Sequence, residues 1–343
     1  MSLISGFCQA NPVQQTLQKE FERNFAIGIV LSDSDVFTLG FHDFDPNKYL
    51  NIDNEDIGTQ DSVDLRKQVA LSTLPYHLSL SEDKTAPVKY NLKGRLYALG
   101  IDQDVTVNED KVPDRNKELI LGSYTEIEQQ NQLTEHLSLS GAVGAHLMYY
   151  RNEYSYRSDA LDNLKPYIEG VYLNTDAWAL VGEVNAELKY LENENWGKWY
   201  VWSSPHYFYG MGWGEGNNGD IGNPEGWYWV NGVKLFYDIT KVGRTVQSVY
   251  TSFNRVDVGG DTSKPMNTSH YYEASFGWLM TPPFKSEWID NIGLGLSVNY
   301  GSALKGGSLV CSLIRSNSVM AKKTIAFPHS ASQNRAPFCL IGT

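Results

Sequence analysis

Residues able to do chemistry are few in this chain, and they fall into three groups. His146 and His206 combine with Glu183 as imidazole and carboxylate, the types used for general acid–base work or to orient a base behind a serine. His270, with Ser269 and Glu273 beside it, offers the same types over five residues. A triad is defined by geometry, and chance neighbours of these types are common, so polar wall residues are the simpler account of both and no catalytic residue is assigned. The third group is ionic: Lys89, Lys93 and Arg95 against Glu118, Glu126, Glu183 and Glu187. Such a set is either a network that satisfies charges inside a plugged lumen or a selectivity lining for a pore. No P-loop, GxGxxG, HExxH or GxSxG is present. The acidic loop with Asp45, Asp53, Glu55, Asp56 and Asp61 lacks calcium-loop spacing, and Cys8, Cys311 and Cys339 form no CxxC knuckle. Neither a cofactor nor a metal is expected.

The elements that must position these residues are strands. Ile292, Leu294, Leu296, Val298 and Tyr300 alternate without exception with Gly293, Gly295, Ser297, Asn299 and Gly301. The second face is too small for the solvated side of a soluble sheet. From Trp288 to Tyr300, at about 3.3 Å per residue and tilted about 45°, the strand projects to roughly 28 Å, close to the apolar band of an outer-membrane barrel. The same period returns in Leu137, Leu139, Val143, Ala145, Leu147 and Tyr149, and in Trp178, Leu180, Val184, Leu188 and Tyr190. The inward partners of that second row are Glu183, Asn185, Glu187 and Lys189. Tyr207, Tyr209, Met211 and Trp213 oppose Ser204, His206, Gly210 and Gly212, and only Asn231 breaks the face of Trp227, Trp229, Val233, Leu235 and Tyr237. Trp178, Tyr190, Trp213, Trp227, Trp288 and Tyr300 are expected in an aromatic girdle, while Lys89, Lys93, Arg95, Glu118, Glu126, His146, Glu183, Glu187 and His206 line the lumen. Residues 245–257 alternate poorly and give the weakest strand signal.

Composition agrees. Aromatics reach 13% while mean hydropathy is -0.37, as expected when only alternate residues of a strand meet lipid. No apolar run approaches the roughly 20 residues of a membrane-spanning helix. A net charge of -12 argues against nucleic acid as a partner.

Four segments follow. Residues 1–10 read as the remnant of a signal peptide ending in Cys8-Gln9-Ala10. In residues 11–24, Val13, Leu17 and Phe21 recur every four positions, with Phe25 next in the series. They make a short amphipathic helix that sits either in the lumen or as a soluble cap. Residues 25–310 form the barrel, opening with Phe25, Ile27, Ile29 and Leu31 as a strand. Residues 311–343 carry four Lys and Arg, no Asp or Glu and no alternating aromatics, and read as a tail foreign to the barrel. A translated frameshift accounts for that tail better than a genuine extension.

Three stretches, residues 30–41, Leu71-Ser72-Thr73-Leu74-Pro75-Tyr76, and the aromatic block 199–213, resemble the solitary outer-membrane autotransporter-like β-barrel proteins of Gram-negative bacteria. That resemblance, over roughly residues 25–310, implies an all-β, closed antiparallel transmembrane barrel of about 12 strands. Such a barrel is like an autotransporter translocator but without a large secreted passenger, in the cell outer membrane and with no settled biochemical role. Its partners would be outer-membrane lipid and the barrel-assembly machinery, with the ligand unknown. The tail departs from the pattern, since barrel assembly reads a terminal strand ending in Phe or Trp. Two other functions remain open: an outer-membrane barrel hydrolase of lipase or protease type, and a soluble carbohydrate-binding β-sandwich suggested by the many Trp and Tyr.

Overall fold

The computed structural model describes residues 12–33, 38–39, 69–81, 83, 86–105, 113–159, 161–284, 291–301 and 306–314. A helix, α1 (Pro12–Ser32), comes first. Twelve strands follow: β1 (Thr38–Leu39), β2 (Val69–Ser79), β3 (Val88–Val105), β4 (Asp114–Gln132), β5 (Leu137–Ser155), β6 (Asp176–Glu194), β7 (Gly197–Gly214), β8 (Glu225–Val242), β9 (Thr245–Gly260), β10 (His270–Met280), β11 (Asn291–Tyr300) and β12 (Gly306–Ile314). Each pairs antiparallel with the next in a single sheet whose spatial order is the chain order. Only two further α-helical turns are described, α2 (Lys165–Ile168) and α3 (Ser263–Met266). No described helix is long and apolar enough to cross a membrane, which says nothing of strands.

Strict alternation decides which way each side chain faces. Along β5, Ser140, Ala142, His146, Met148, Tyr150 and Asn152 are buried, while Leu139, Val143 and Leu147 stay exposed. Val143 is 67% exposed and Leu180, on β6, 46%. Left in water, each such side chain would forgo about 1.5–3 kcal/mol of burial. Rows of them on one wall therefore belong to an apolar solvent rather than to a second sheet. The soluble sandwich is overturned here: the described strands form one sheet, and its Leu, Val and Trp rows face outward. The lone polar break is satisfied locally, because Ser203 Oγ lies 2.8 Å from both Asn231 Oδ1 and Trp229 Nε1. Trp178, Trp213, Trp227 and Tyr300 are all exposed and Tyr190 is half-buried; Trp288 lies outside the described residues.

Connections distinguish the two mouths of this sheet. At one end β4–β5, β6–β7 and β8–β9 are joined by residues 133–136, 195–196 and 243–244. In the last of these Gly243 supplies the positive φ of 60° that a two-residue hairpin needs. At the other end residues 156–175, 215–224 and 261–269 make longer connections.

The helix lies inside the curl of the sheet, so the soluble cap is set aside. It also extends past residue 24: Phe25, Ile27, Ile29 and Leu31, expected as a strand, are its last turns. Residues 25–31 are Phe, Ala, Ile, Gly, Ile, Val and Leu. A run with so few polar residues satisfies period two and period 3.6 equally, and a helix that is apolar all round is one buried on all sides. Phe21 and Phe25 pack on Tyr150 and share one buried cluster with Ile29, Met148 and Phe208. Phe21 meets Tyr150 edge-on at 5.6 Å, and Gly28 lies so close to the wall that a Cβ would come within 3.0 Å of Met148 Cε. At the far end of the chain, β12 is described from Gly306 through Ile314, so Cys311 to Ile314 belong to the sheet, and Ala303 lies outside the described residues. The rest of the tail, the acidic loop and residues 1–10 lie outside the described residues. The weakly patterned residues 245–257 form most of a 16-residue strand, β9.

Candidate functional site

Inward residues of β3 to β8 converge on one buried carboxylate. Glu183 on β6 is 1% exposed. Its Oε2 accepts from His146 Nε2 of β5 at 2.9 Å, and its Oε1 accepts from His206 Nδ1 of β7 at 2.9 Å. The chain continues on both sides. Tyr97 of β3 places its hydroxyl 3.0 Å from His146 Nδ1, and Ser204 Oγ lies 2.8 Å from His206 Nε2. One arrangement of protons satisfies every member: each imidazole donates one N–H to Glu183 and accepts a hydroxyl proton on its other nitrogen. Tyr228 of β8 stacks on His206 at 4.2 Å and points its hydroxyl at Glu183 Oε1 from 3.3 Å; Tyr124 of β4 stacks on His146 at the same spacing. Tyr124 donates to Glu126 Oε2 at 2.7 Å, which Asn185 Nδ2 also meets at 2.7 Å. A carboxylate buried so deeply would be costly without these donors, and with them the network is fully connected.

Arg95 joins the network to the helix. Its guanidinium lies 4.4 Å over the Tyr124 ring, and Nη1 donates to Asp33 Oδ1 at 3.0 Å, just past the last turn of α1. Nε reaches Ser32 Oγ at 3.3 Å. A cation here also faces the negative end of the helix dipole. The opposite end of α1 is held at the mouth with the longer connections. Gln18 Nε2 donates to Asp220 at 3.0 Å, the Asn223 N–H donates to Glu22 at 2.8 Å, and Asn217 Nδ2 reaches the Gln14 carbonyl at 3.0 Å. Lys19 pairs with Glu22 and, at 3.5 Å, with Asp261. The Glu22 carboxylate beside it holds the Lys19 ammonium above its usual value. Tyr172, edge-on to Phe21 at 6.2 Å, has its phenol pushed up to about 12 by burial.

The expected lumen residues thus separate. His146, Glu183 and His206 come together, with Glu126 bridged to them through Tyr124 and Asn185. Lys93 pairs with Glu128, an unexpected member that Asn91 Nδ2 also meets at 3.2 Å. Lys89 and Glu187 are half-buried on the same inner faces, nearer the short-turn mouth. Glu118 lies toward the longer connections and is bonded by Asn116 at 3.1 Å rather than by a cation. The second histidine combination fails: Ser269 and His270 are neighbours at 3.5 Å, but Glu273 faces inward from β10 and contacts Asn254. Asp33, Tyr97, Tyr124, Tyr228 and Ser204 were missed as functional residues. Of these, Ser204 is the one that spacing could have shown, since it stands two residues before His206 on one inward face. Among the described residues no His, Cys, Asp and Glu cluster is suited to a metal.

Comparison with known proteins gives no match among curated sequences. Three solved structures are similar in shape. The β domain of the Bordetella autotransporter BrkA shares 10% identity over 71% of this chain and 87% of its own, with a TM-score of 0.41. The translocator domain of autotransporter NalP from Neisseria meningitidis shares 13% over 72% and 81%, at 0.40. LpxR from Salmonella typhimurium shares 10% over 80% and 96%, at 0.41. Placement rests instead on a family model that matches residues 22–313, nearly all of the described sheet and about half of the helix within it. The chain is an outer-membrane protein and belongs to the solitary outer membrane autotransporter β-barrel domain family.

Proposed function

We propose that the twelve strands close into a barrel and that α1 is its resident stopper, so that the protein works as a sealed outer-membrane element with a structural or surface-interaction role. Closure is supported by the approach of β1 and β12, whose backbones come within 8 Å, and by physics, since an open edge in lipid leaves backbone groups unpaired. The observation that carries the stopper is the double anchorage of α1: Arg95 on Asp33 at one end, and Gln18 and Glu22 on the loop 215–224 at the other. In this reading the ionic residues satisfy one another instead of selecting ions. The outward rows take lipid as their partner, and the barrel-assembly machinery inserts the sheet. Folded full-length protein in a planar bilayer is expected to show no steady conductance at moderate voltage. A stable open channel from the unmodified chain would overturn the stopper.

A further inference from the structure

We propose that Ser204, His206 and Glu183 form a nucleophilic triad directed into the lower lumen and competent to cleave carboxylic esters. Three facts carry it. Ser204 Oγ is 2.8 Å from His206 Nε2, and the other imidazole nitrogen, Nδ1, is 2.9 Å from Glu183 Oε1, the connectivity that makes a serine nucleophilic. The local backbone is built around this serine. Pro205 stands inside β7, where it lacks the N–H a ladder needs, and the β6–β7 pairing skips Ala186 and Glu187 opposite it. The Ala186 carbonyl is met by Ser204 Oγ at 3.2 Å, a longer contact than the one to His206. Access follows from the position of the helix. The matching arm through His146 ends on Tyr97, 4% exposed beneath α1. Ser204 is 7% exposed, one inward step toward the short-turn mouth, and the next inward residues of β7, Trp202 and Tyr200, are half-buried.

Their aromatic faces suit the apolar part of an ester. Ser204 Oγ attacks the ester carbonyl carbon as its proton passes to His206 Nε2, with Glu183 holding the Nδ1–H. The C–O bond to the leaving alcohol then breaks, and the alcohol takes the proton from Nε2. Water, activated by the same nitrogen, releases the acid and restores the Ser204 hydroxyl. Stabilisation of the oxyanion falls to a side chain. Asn185, which pairs with His206 across β6–β7, carries such an amide, directed in this structure at Glu126.

The test uses the full chain folded in detergent, its folding shown by heat-modifiable gel mobility, with a fluorophosphonate probe and 4-nitrophenyl acetate. Expected are covalent labelling that maps to Ser204 and turnover that falls at least about a hundredfold in S204A and in H206Q. S203A, on the outer face, should match the parent. H206Q keeps the hydroxyl beside the Ala186 carbonyl, so it separates loss of the base from loss of a structural contact even where S204A does not fold. A heat-modifiable parent with neither label nor turnover overturns the proposal, and so does labelling or turnover that persists in S204A or H206Q.

Discussion

The two halves of the lumen are built by the same strands and filled in opposite ways. Toward the longer connections Ala177, Ala179 and Val181 of β6, Met148 and Tyr150 of β5, Leu99 of β3 and Phe208 of β7 share one buried cluster with α1, and the polar Asn116, Glu118 and Asn152 lie at the same end. Toward the short turns the same strands present Glu183, Asn185, Glu187 and Lys189, then Gly144 and Ser140, then Arg95 and Lys93, then His206 and Ser204. The apolar cluster stops near the level where α1 ends. Alternation along a strand therefore reports which side faces lipid but not what fills the other side. The helix accounts for part of that: the wall around it is mostly apolar, and the wall beyond its end mostly polar.

The largest expected effect comes from breaking the dry half. Phe25 is fully buried and lies edge-on to Tyr150 at 6.3 Å. Truncating a buried Phe costs about 3–5 kcal/mol, and a carboxylate in its place adds the cost of burying charge. F25D is expected to expel α1 while leaving the sheet heat-modifiable, giving steady conductance in a planar bilayer and rapid hydrogen exchange over residues 12–32. Continued closure would mean that the loop contacts alone hold the helix.

At the boundary, R95A leaves Asp33 without its cation and strips the cover from Tyr124. Arg95 is buried but Asp33 is partly exposed, so the loss stays below the roughly 3 kcal/mol of a fully buried ion pair. Because the apolar seal remains, brief openings rather than a permanent channel are expected, read as conductance bursts that R95K only partly suppresses. A lysine offers no planar fork for Asp33 and Ser32 together.

These contrasts explain what the sequence shows and what it conceals. Outward rows such as Leu180, Val184 and Leu188 are legible because lipid demands an apolar side chain at every second position. The boundary between helix and strand at residues 24–25 is not, because the run from Phe25 to Leu31 fits both periods. Asp33, flanked by Ser32 and Ser34, reads as a turn, and nothing local announces that Arg95 will meet it 62 residues later. The cluster at Glu183 is legible as face and type only. That Glu183 reaches both His146 and His206 depends on the registers Gly144↔Glu183 and Asn185↔His206, which alternation cannot fix beyond parity. Pro205 lacks the N–H that a central strand uses, and the β6–β7 ladder is interrupted opposite it.

The smallest expected effect tests whether the polar half is wet. Lys93 is 37% exposed on its side chain and pairs with Glu128, which is also held by Asn91. If water fills the lumen below α1, this pair is a surface ion pair, worth about 0–1 kcal/mol and weakened by salt. K93A should then shift the urea midpoint of refolding into vesicles barely at all, and less still at high salt. A loss above about 2 kcal/mol would place Lys93 and Glu128 in a dry interior, with a second seal toward the short turns. That result would extend the stopper beyond the helix and close the route by which an ester reaches Ser204.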